Sequence, residues 1–493
     1  MLFLIALCFF IGNGLSAEEG MWMPHQMMGL DLKALGLKMD PADLYRQDGT
    51  GLMSAVVHLG GGTAGFVSSR GLLLTNHHVA FGALQRASTK ENDYIQYGFL
   101  ASAQSEEIPA PGYYADVLLG YEEVTAEIQA ALKEGMTSLE RYEALDTVKK
   151  ELVAQAEKES EDLRAQVASM YSGNKYYLFR FKRLKDLRLV YAPPRDLGNY
   201  GGDIDNWMWP RHTCDFTFLR AYVSPENIGC EYNTQNVPYK PKAVLKISLD
   251  GFKEGDFSFV MGYPGRTYRN FTLAELKLDV DRMQEGITIR EDLIAFFEKA
   301  GEGSRDVQIK YASTIKGLNN GLKNYQGKLE GFRKVGLIEK KRKGEQEFKN
   351  WVAQEENRRK KYGSAIEDVA GFMHVYAAHR QKTTMFNQLL SSAYSSALLS
   401  QAHTIYRTAV ERQKPDMERE AAYQDRNLAN IRMGIELAER RFDLKVDRAL
   451  LIHRIEGLRA LPPDQVPRAL HRIISLRSKN AVSTYVNTLF DQT

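Results

Sequence analysis

The chain has 493 residues, 44% of them hydrophobic and 26% charged, an ordinary soluble globular composition with room for two or three domains. Lys and Arg number 65 against 62 Asp and Glu, a net charge of +3, and no basic block is interleaved with aromatics, so nucleic acid is set aside as a partner. The first 17 residues, MLFLIALCFFIGNGLSA, are uncharged and apolar and end in small residues before Glu18 and Glu19. They read as a signal peptide cleaved after Ala17, which predicts an exported protein, periplasmic or at the cell surface. A core this short is a poor transmembrane helix, so no integral membrane segment is expected once it is removed. Cys214 and Cys230 then remain, compatible with one disulfide or with two free thiols.

From about residue 52 to 80, and again from about 172 to 270, short apolar runs between glycine turns predict strands of a barrel or sandwich. Between them, residues 124–170 are rich in Ala, Glu, Lys and Leu without proline, and one or two inserted helices are expected there. After Pro264 the next proline is Pro415. That long interval reads as helix. Ile289, Leu293, Phe296 and Phe297 share one helical face, as do Leu428, Ile431, Ile435 and Ala438, which is the spacing of helices packed on one another. The expected organisation is a signal peptide at 1–17, a β domain at 18–274 with its helical insertion, an α-helical domain at 275–460, and a return toward the β domain at 461–493.

Two segments carry the chemistry. GLLLTNHHVA, Gly71 to Ala80, ends an apolar run in two adjacent histidines. If the strand continues through them, His77 and His78 face opposite ways and only one can enter a given cleft. A structural role for both is the ordinary reading of an isolated pair. GGDIDNWMWPRHTCDF, Gly201 to Phe216, gathers two Trp, three Asp, an Asn and a His in one glycine-led loop. Its Asn206 and Trp207 could offer an amide and an aromatic wall, and Asp215 could orient an imidazole. A metal site built from His77 or His78 with His212 and Asp215 lacks any recognised ligand spacing, so neither a metal nor another cofactor is expected.

The hairpin GGGTAGFVSSRGLLLTNHH resembles the first-barrel hairpin of chymotrypsin-like serine peptidases. Together, TNHH, GGD-x-DNWMWPRHT-x-DF and MGYPGRTYR resemble, in this order, the dipeptidyl peptidases of peptidase family S46. That resemblance implies an α+β protein in which a chymotrypsin-like double β-barrel carries a large inserted α-helical domain. It implies a serine-type exopeptidase that releases dipeptides from peptide substrates with a free N-terminus, and it allows a homodimer. It makes His78 the general base and Asp215 its orienting carboxylate, with Asn206 and Trp207 binding the substrate amino terminus. A further Asn of that pocket is carried to Asn324 in KNYQG, with Asn320 less favoured. Val79 and Cys214 stand where the family has Cys and Gly. The family's serine lies in a G-N-S-G-type segment that these 493 residues lack, so the chain is expected to hold the first barrel without most of the second. It would then be a piece of a longer peptidase or an inactive product; the alternative is a non-catalytic exported protein that binds peptide N-termini.

Overall fold

The computed structural model describes residues 20–46, 50–202, 204–265, 268, 270–476 and 478–491. The expected signal peptide at 1–17 lies outside the described residues. The molecule is α+β: eleven strands form one antiparallel sheet, and a large helical region packs beside it.

The strands are β1 (Val56–Leu59), β2 (Gly62–Phe66), β3 (Leu72–Thr75), β4 (Phe99–Leu100), β5 (Ile108–Pro109), β6 (Ala115–Glu123), β7 (Leu163–Met170), β8 (Lys175–Leu184), β9 (Asp186–Ala192), β10 (Thr217–Val223) and β11 (Val237–Pro238). Their order is β4-β9-β10-β3-β2-β1-β6-β8-β7, with β11 on β10 and β5 on β9. The β1–β2 hairpin closes at Leu59 opposite Gly62. Its two-residue turn needs positive φ, which Gly60 supplies at 61°. Alternate residues Val57, Leu59, Phe66, Leu73, Leu187, Leu189 and Leu219 converge in one core, as the two-residue strand period requires.

Two expectations about local structure are corrected. The apolar strand ends at Thr75, and helix α1 (His77–Ala87) starts at the first histidine. Successive side chains there are about 100° apart rather than on opposite faces. The stretch 124–170 is helical only in part: α2 (Ser138–Glu157) is followed by β7, whose Leu163 and Ala165 are buried. Helix-forming composition was outweighed there by the pairing of β7 along its full length with β8.

The helical region opens with α3 (Leu273–Gly301) and α4 (Arg305–Lys334). Thr272 and Glu275 form a capping box at the start of α3, with Thr272 N–H donating to Glu275 at 2.8 Å. Leu293, Ile294 and Phe297 of α3 pack with Leu318 of α4 and with Val446 and Leu450 of a later helix, Leu444–Arg459. The segment after 461, expected to return to the β domain, packs on the helical region instead: Val466, Leu470, Val482, Val486 and Phe490 share a core with Leu451 and Ile455. Among the described residues, no helix is long and apolar enough to cross a membrane.

Helix α4 joins the two layers through one stripe. Arg305 donates to Asp93 at 2.9 and 2.6 Å, and Ile309 enters the β core. Ser313 donates to Gln85 Oε1, and Lys316 Nζ lies 4.3 Å from the centre of the Phe81 ring. Gln85 and Phe81 belong to α1. Spacings of three and four residues keep Arg305, Ile309, Ser313 and Lys316 on one face, and Asn320 is next on it.

Candidate active site

The sheet register brings the two chemical segments together. Strands β3 and β10 are antiparallel with Thr217 opposite Thr75, so the residues just before β10 lie level with those just after β3. Asp215 thereby meets the first turn of α1. His78 Nδ1 is 2.6 Å from Asp215 Oδ2, and the His78 backbone N–H donates to Asp215 Oδ1 at 2.9 Å. Asn76 Nδ2 donates to the Asp215 carbonyl at 3.0 Å.

The carboxylate does two things at once. Asn76 occupies the N-cap of α1 but makes no side-chain cap hydrogen bond. Asp215, distant in sequence, accepts the free N–H of the first turn instead, where the helix dipole favours negative charge. Partial burial pushes the Asp215 carboxyl up, but the hydrogen bonds from the His78 ring and backbone, with the nearby charges of His78 and Lys316, outweigh it and hold it below its ordinary value. An ionised Asp215 accepts from Nδ1–H and leaves His78 Nε2 as the basic nitrogen. Nε2 has no hydrogen-bond partner among the described residues, and the side chain is 56% exposed. No serine hydroxyl among the described residues is bonded to it.

His77 is a different kind of group. It is 1% exposed, its ring meets Phe81 edge-on, and neither ring nitrogen has a hydrogen-bond partner among the described residues. Burial, reinforced by the positive charge of Lys316, lowers its pKa to about 4, so it is a neutral packing residue at pH 7. Gly198 lies against it so closely that a Cβ there would sit 2.9 Å from the ring.

Asn206 and Trp207 stand on the loop that precedes Asp215. Asn206 Nδ2 donates to Asn320 Oδ1 at 3.1 Å, and Trp207 Nε1 donates to the same oxygen at 3.1 Å. Arg211 Nη1 donates to Asn206 Oδ1 at 2.9 Å and fixes that amide. The α4 side chain joined to this loop is therefore Asn320; Asn324 lies one turn further along the same face and makes none of these contacts. Cys214 and Cys230 are free thiols. His212 is not joined to the pair, and the described residues contain no cluster of three or more His, Cys, Asp or Glu able to hold a metal ion.

Four contributors escaped sequence reasoning as site residues or were ranked low: Asn76, Arg211, Asn320 and Lys316. Asn76 and Arg211 sit inside the two motifs, where a hydrogen-bonding role could have been read from residue type. Lys316 carries no local signal, since only the α4 stripe brings it to the histidines.

With this geometry in place, comparison with known proteins assigns the family. Residues 17–493 match Peptidase S46, and the chain belongs to that family. It is 36% identical over 450 residues to an Asp/Glu-specific dipeptidyl-peptidase of Shewanella putrefaciens, covering 91% of this chain and 60% of that protein. To the dipeptidyl-peptidase 7 of Porphyromonas gingivalis it is 30% identical over 482 residues, covering 97% of this chain and 65% of the other. The crystal structure of Porphyromonas endodontalis DPP11 in complex with the dipeptide Arg-Glu matches with a TM-score of 0.78 at 27% identity, over 97% of this chain and 68% of that one. The chain thus spans less than two thirds of the length of these two sequence relatives.

Proposed function

We propose that the chain carries the base half of a serine dipeptidyl peptidase, in which His78 takes the proton of a serine hydroxyl and Asp215 orients the imidazole. The observation that carries this reading is the doubly bonded pair: one carboxylate holds both the ring and the backbone of His78 and leaves Nε2 facing outward. The sheet is read as the first barrel of a chymotrypsin-like double barrel. The serine and its oxyanion donors would come from polypeptide outside these 493 residues.

Asn206, Trp207 and an asparagine of α4 would receive the free amino terminus of the peptide. An ammonium donates up to three hydrogen bonds and is satisfied by amide oxygens, with Trp207 closing the end of the cleft. Asn320 has the geometric support, and Asn324, the position carried over from the family motif, lies one turn beyond it. Export through residues 1–17 and a homodimeric assembly belong to the same reading.

The absence of a serine bonded to His78 among the described residues favours a second reading, a protein that binds peptide N-termini without turnover. One experiment separates the two. The chain is titrated with a dipeptide bearing a free N-terminus and with its N-acetyl derivative, then co-expressed with the serine-bearing segment of an S46 relative. Selective binding of the free dipeptide, with release of dipeptide only when the segment is present and His78 intact, supports the peptidase. Equal binding of both forms would sink the assignment of the pocket.

A further inference from the structure

A cavity of about 790 Å³ opens inside the helical region, lined by α3, by Tyr325 of α4 and by the helices Ala365–Leu389 and Leu444–Arg459. This is the size of a small-molecule site. It is separate from the His78–Asp215 pair, none of whose residues line it.

Its charges are unevenly matched. Arg282 donates to Asp279 at 2.6 Å, and Arg380 grips Glu285 at 2.7 and 2.8 Å. Arg290 and Arg454 have no carboxylate partner within ion-pair distance among the described residues. Arg290 spends two donors on neutral groups, the Gly286 carbonyl and the Tyr394 hydroxyl, each at 2.8 Å. The Arg454 side chain makes no hydrogen bond among the described residues, and its Nε is buried. The carboxylate whose field reaches Arg454, Asp292, is engaged by His453 Nε2 at 2.8 and 3.0 Å. Glu456 also lines the cavity but accepts from Arg459.

The Arg290 side chain lies in a made slot. A Cβ at Gly321 would fall 2.6 Å from its Nε, and one at Gly286 would fall 2.8 Å from its Nη1. Both glycines are in helix interiors, where each costs about 1 kcal/mol relative to alanine. The Arg290 guanidinium then lies 4.6 Å from the centre of the Tyr325 ring. A half-buried guanidinium without a direct ion-pair partner is destabilising to a degree that a bound anion would relieve. Ile289, Met385, Leu458 and Leu461 give the rest of the wall an apolar character.

We propose that this cavity binds a small organic carboxylate, its anionic end held by Arg454 and Arg290 and its apolar body lying along the Met385 and Leu458 wall. Arginine presents paired N–H donors that match a carboxylate in one plane. The inference does not depend on the peptidase reading. N-acetyl-L-phenylalanine tests it, because this probe has the carboxylate and the apolar body but no ammonium for the Asn206 pocket. Calorimetric titration of the chain should give saturable one-to-one binding, at least tenfold tighter than that of the uncharged N-acetyl-L-phenylalaninamide. Arg454→Gln should weaken binding of the acid tenfold or more, Arg454→Lys should weaken it less because it keeps the charge but not the paired donors, and Asn206→Ala should leave it unchanged. The contrast between acid and amide needs no variant, so a poorly folded Arg454→Gln does not spare the proposal. Equal binding of acid and amide, no saturation at millimolar probe, or loss of binding in Asn206→Ala would overturn it.

Discussion

Trp207 Nε1 donates to Asn320 Oδ1 at 3.1 Å, joining the loop before Asp215 to the long helix that packs on α1. Asn206 shares the same acceptor. Both donors are reachable by water in this structure, Trp207 being 61% exposed, so removing the amide would cost about 1–3 kcal/mol only once bound peptide shields them. Asn320→Ala should therefore weaken binding of a free dipeptide at least tenfold, while Asn324→Ala changes it less than threefold. Calorimetry on both variants checks this, and the reverse order would return the role to Asn324.

Asp215→Asn and Asp215→Ala should separate the two jobs of one side chain. The amide of Asn can still accept the His78 N–H, so α1 keeps its cap, and the melting temperature should change little. Loss of the cap in Asp215→Ala costs about 1 kcal/mol. Turnover by a chain that includes the serine segment should fall about four orders of magnitude in Asp215→Asn, because the amide NH₂ favours the wrong tautomer of His78. Comparable melting of all three proteins would remove the capping role.

Acid should destabilise the fold in a window set by His77. Its folded pKa of about 4 lies below the unfolded value. The unfolded chain therefore binds the extra proton, and stability is full above about pH 6.5 and lost as pH falls toward 4. The effect amounts to about 3 kcal/mol at most. Denaturant titrations at pH 7 and pH 4.5 should show the drop, and His77→Phe should flatten it between these values. An unchanged slope in the variant would mean that other groups carry the acid sensitivity.

Gly198→Ala should be more harmful than a surface glycine substitution, because its Cβ would meet both the His77 ring and Pro193 at 2.9 Å. Overpacking of this kind costs about 1–3 kcal/mol. The variant should melt lower and bind dipeptide more weakly, since the loop it belongs to leads to Asn206. Gly434→Ala, where a Cβ meets no described residue within 4 Å, is the control.

The chain alone should release no dipeptide from chromogenic substrates and take no label from serine-reactive phosphonates. His78 Nε2 has no hydroxyl partner among the described residues, and a triad needs its three groups within about 3 Å together with oxyanion donors. Turnover that disappears in His78→Ala would show that a group within these residues acts as nucleophile.

Much of this site could be read before any coordinates. The proline-free interval and the glycine hairpin marked the helical and β regions, and two motifs named His78, Asp215, Asn206 and Trp207. The start of α1 at His77 was hidden because its cap comes from Asp215 through strand pairing, not from a neighbour in sequence. Asn320 and Asn324 are four residues apart and share a helical face, so spacing alone cannot say which of them meets the loop. The strand Leu163–Met170 was hidden in helix-forming composition, and only its partner β8 decides it.

Because the Asp215 carboxylate both caps α1 and holds the His78 ring, the charge at the start of that helix and the hold on the imidazole share a single proton-binding equilibrium. Below the ordinary carboxylate range, the proton that neutralises Asp215 would weaken its hold on the ring and remove the negative charge from the helix N-terminus in the same event, while its carbonyl oxygen can still accept the His78 N–H. Chemical shifts of the His78 ring and amide, followed as the pH is lowered, would then report the protonation of Asp215 without any assay of turnover.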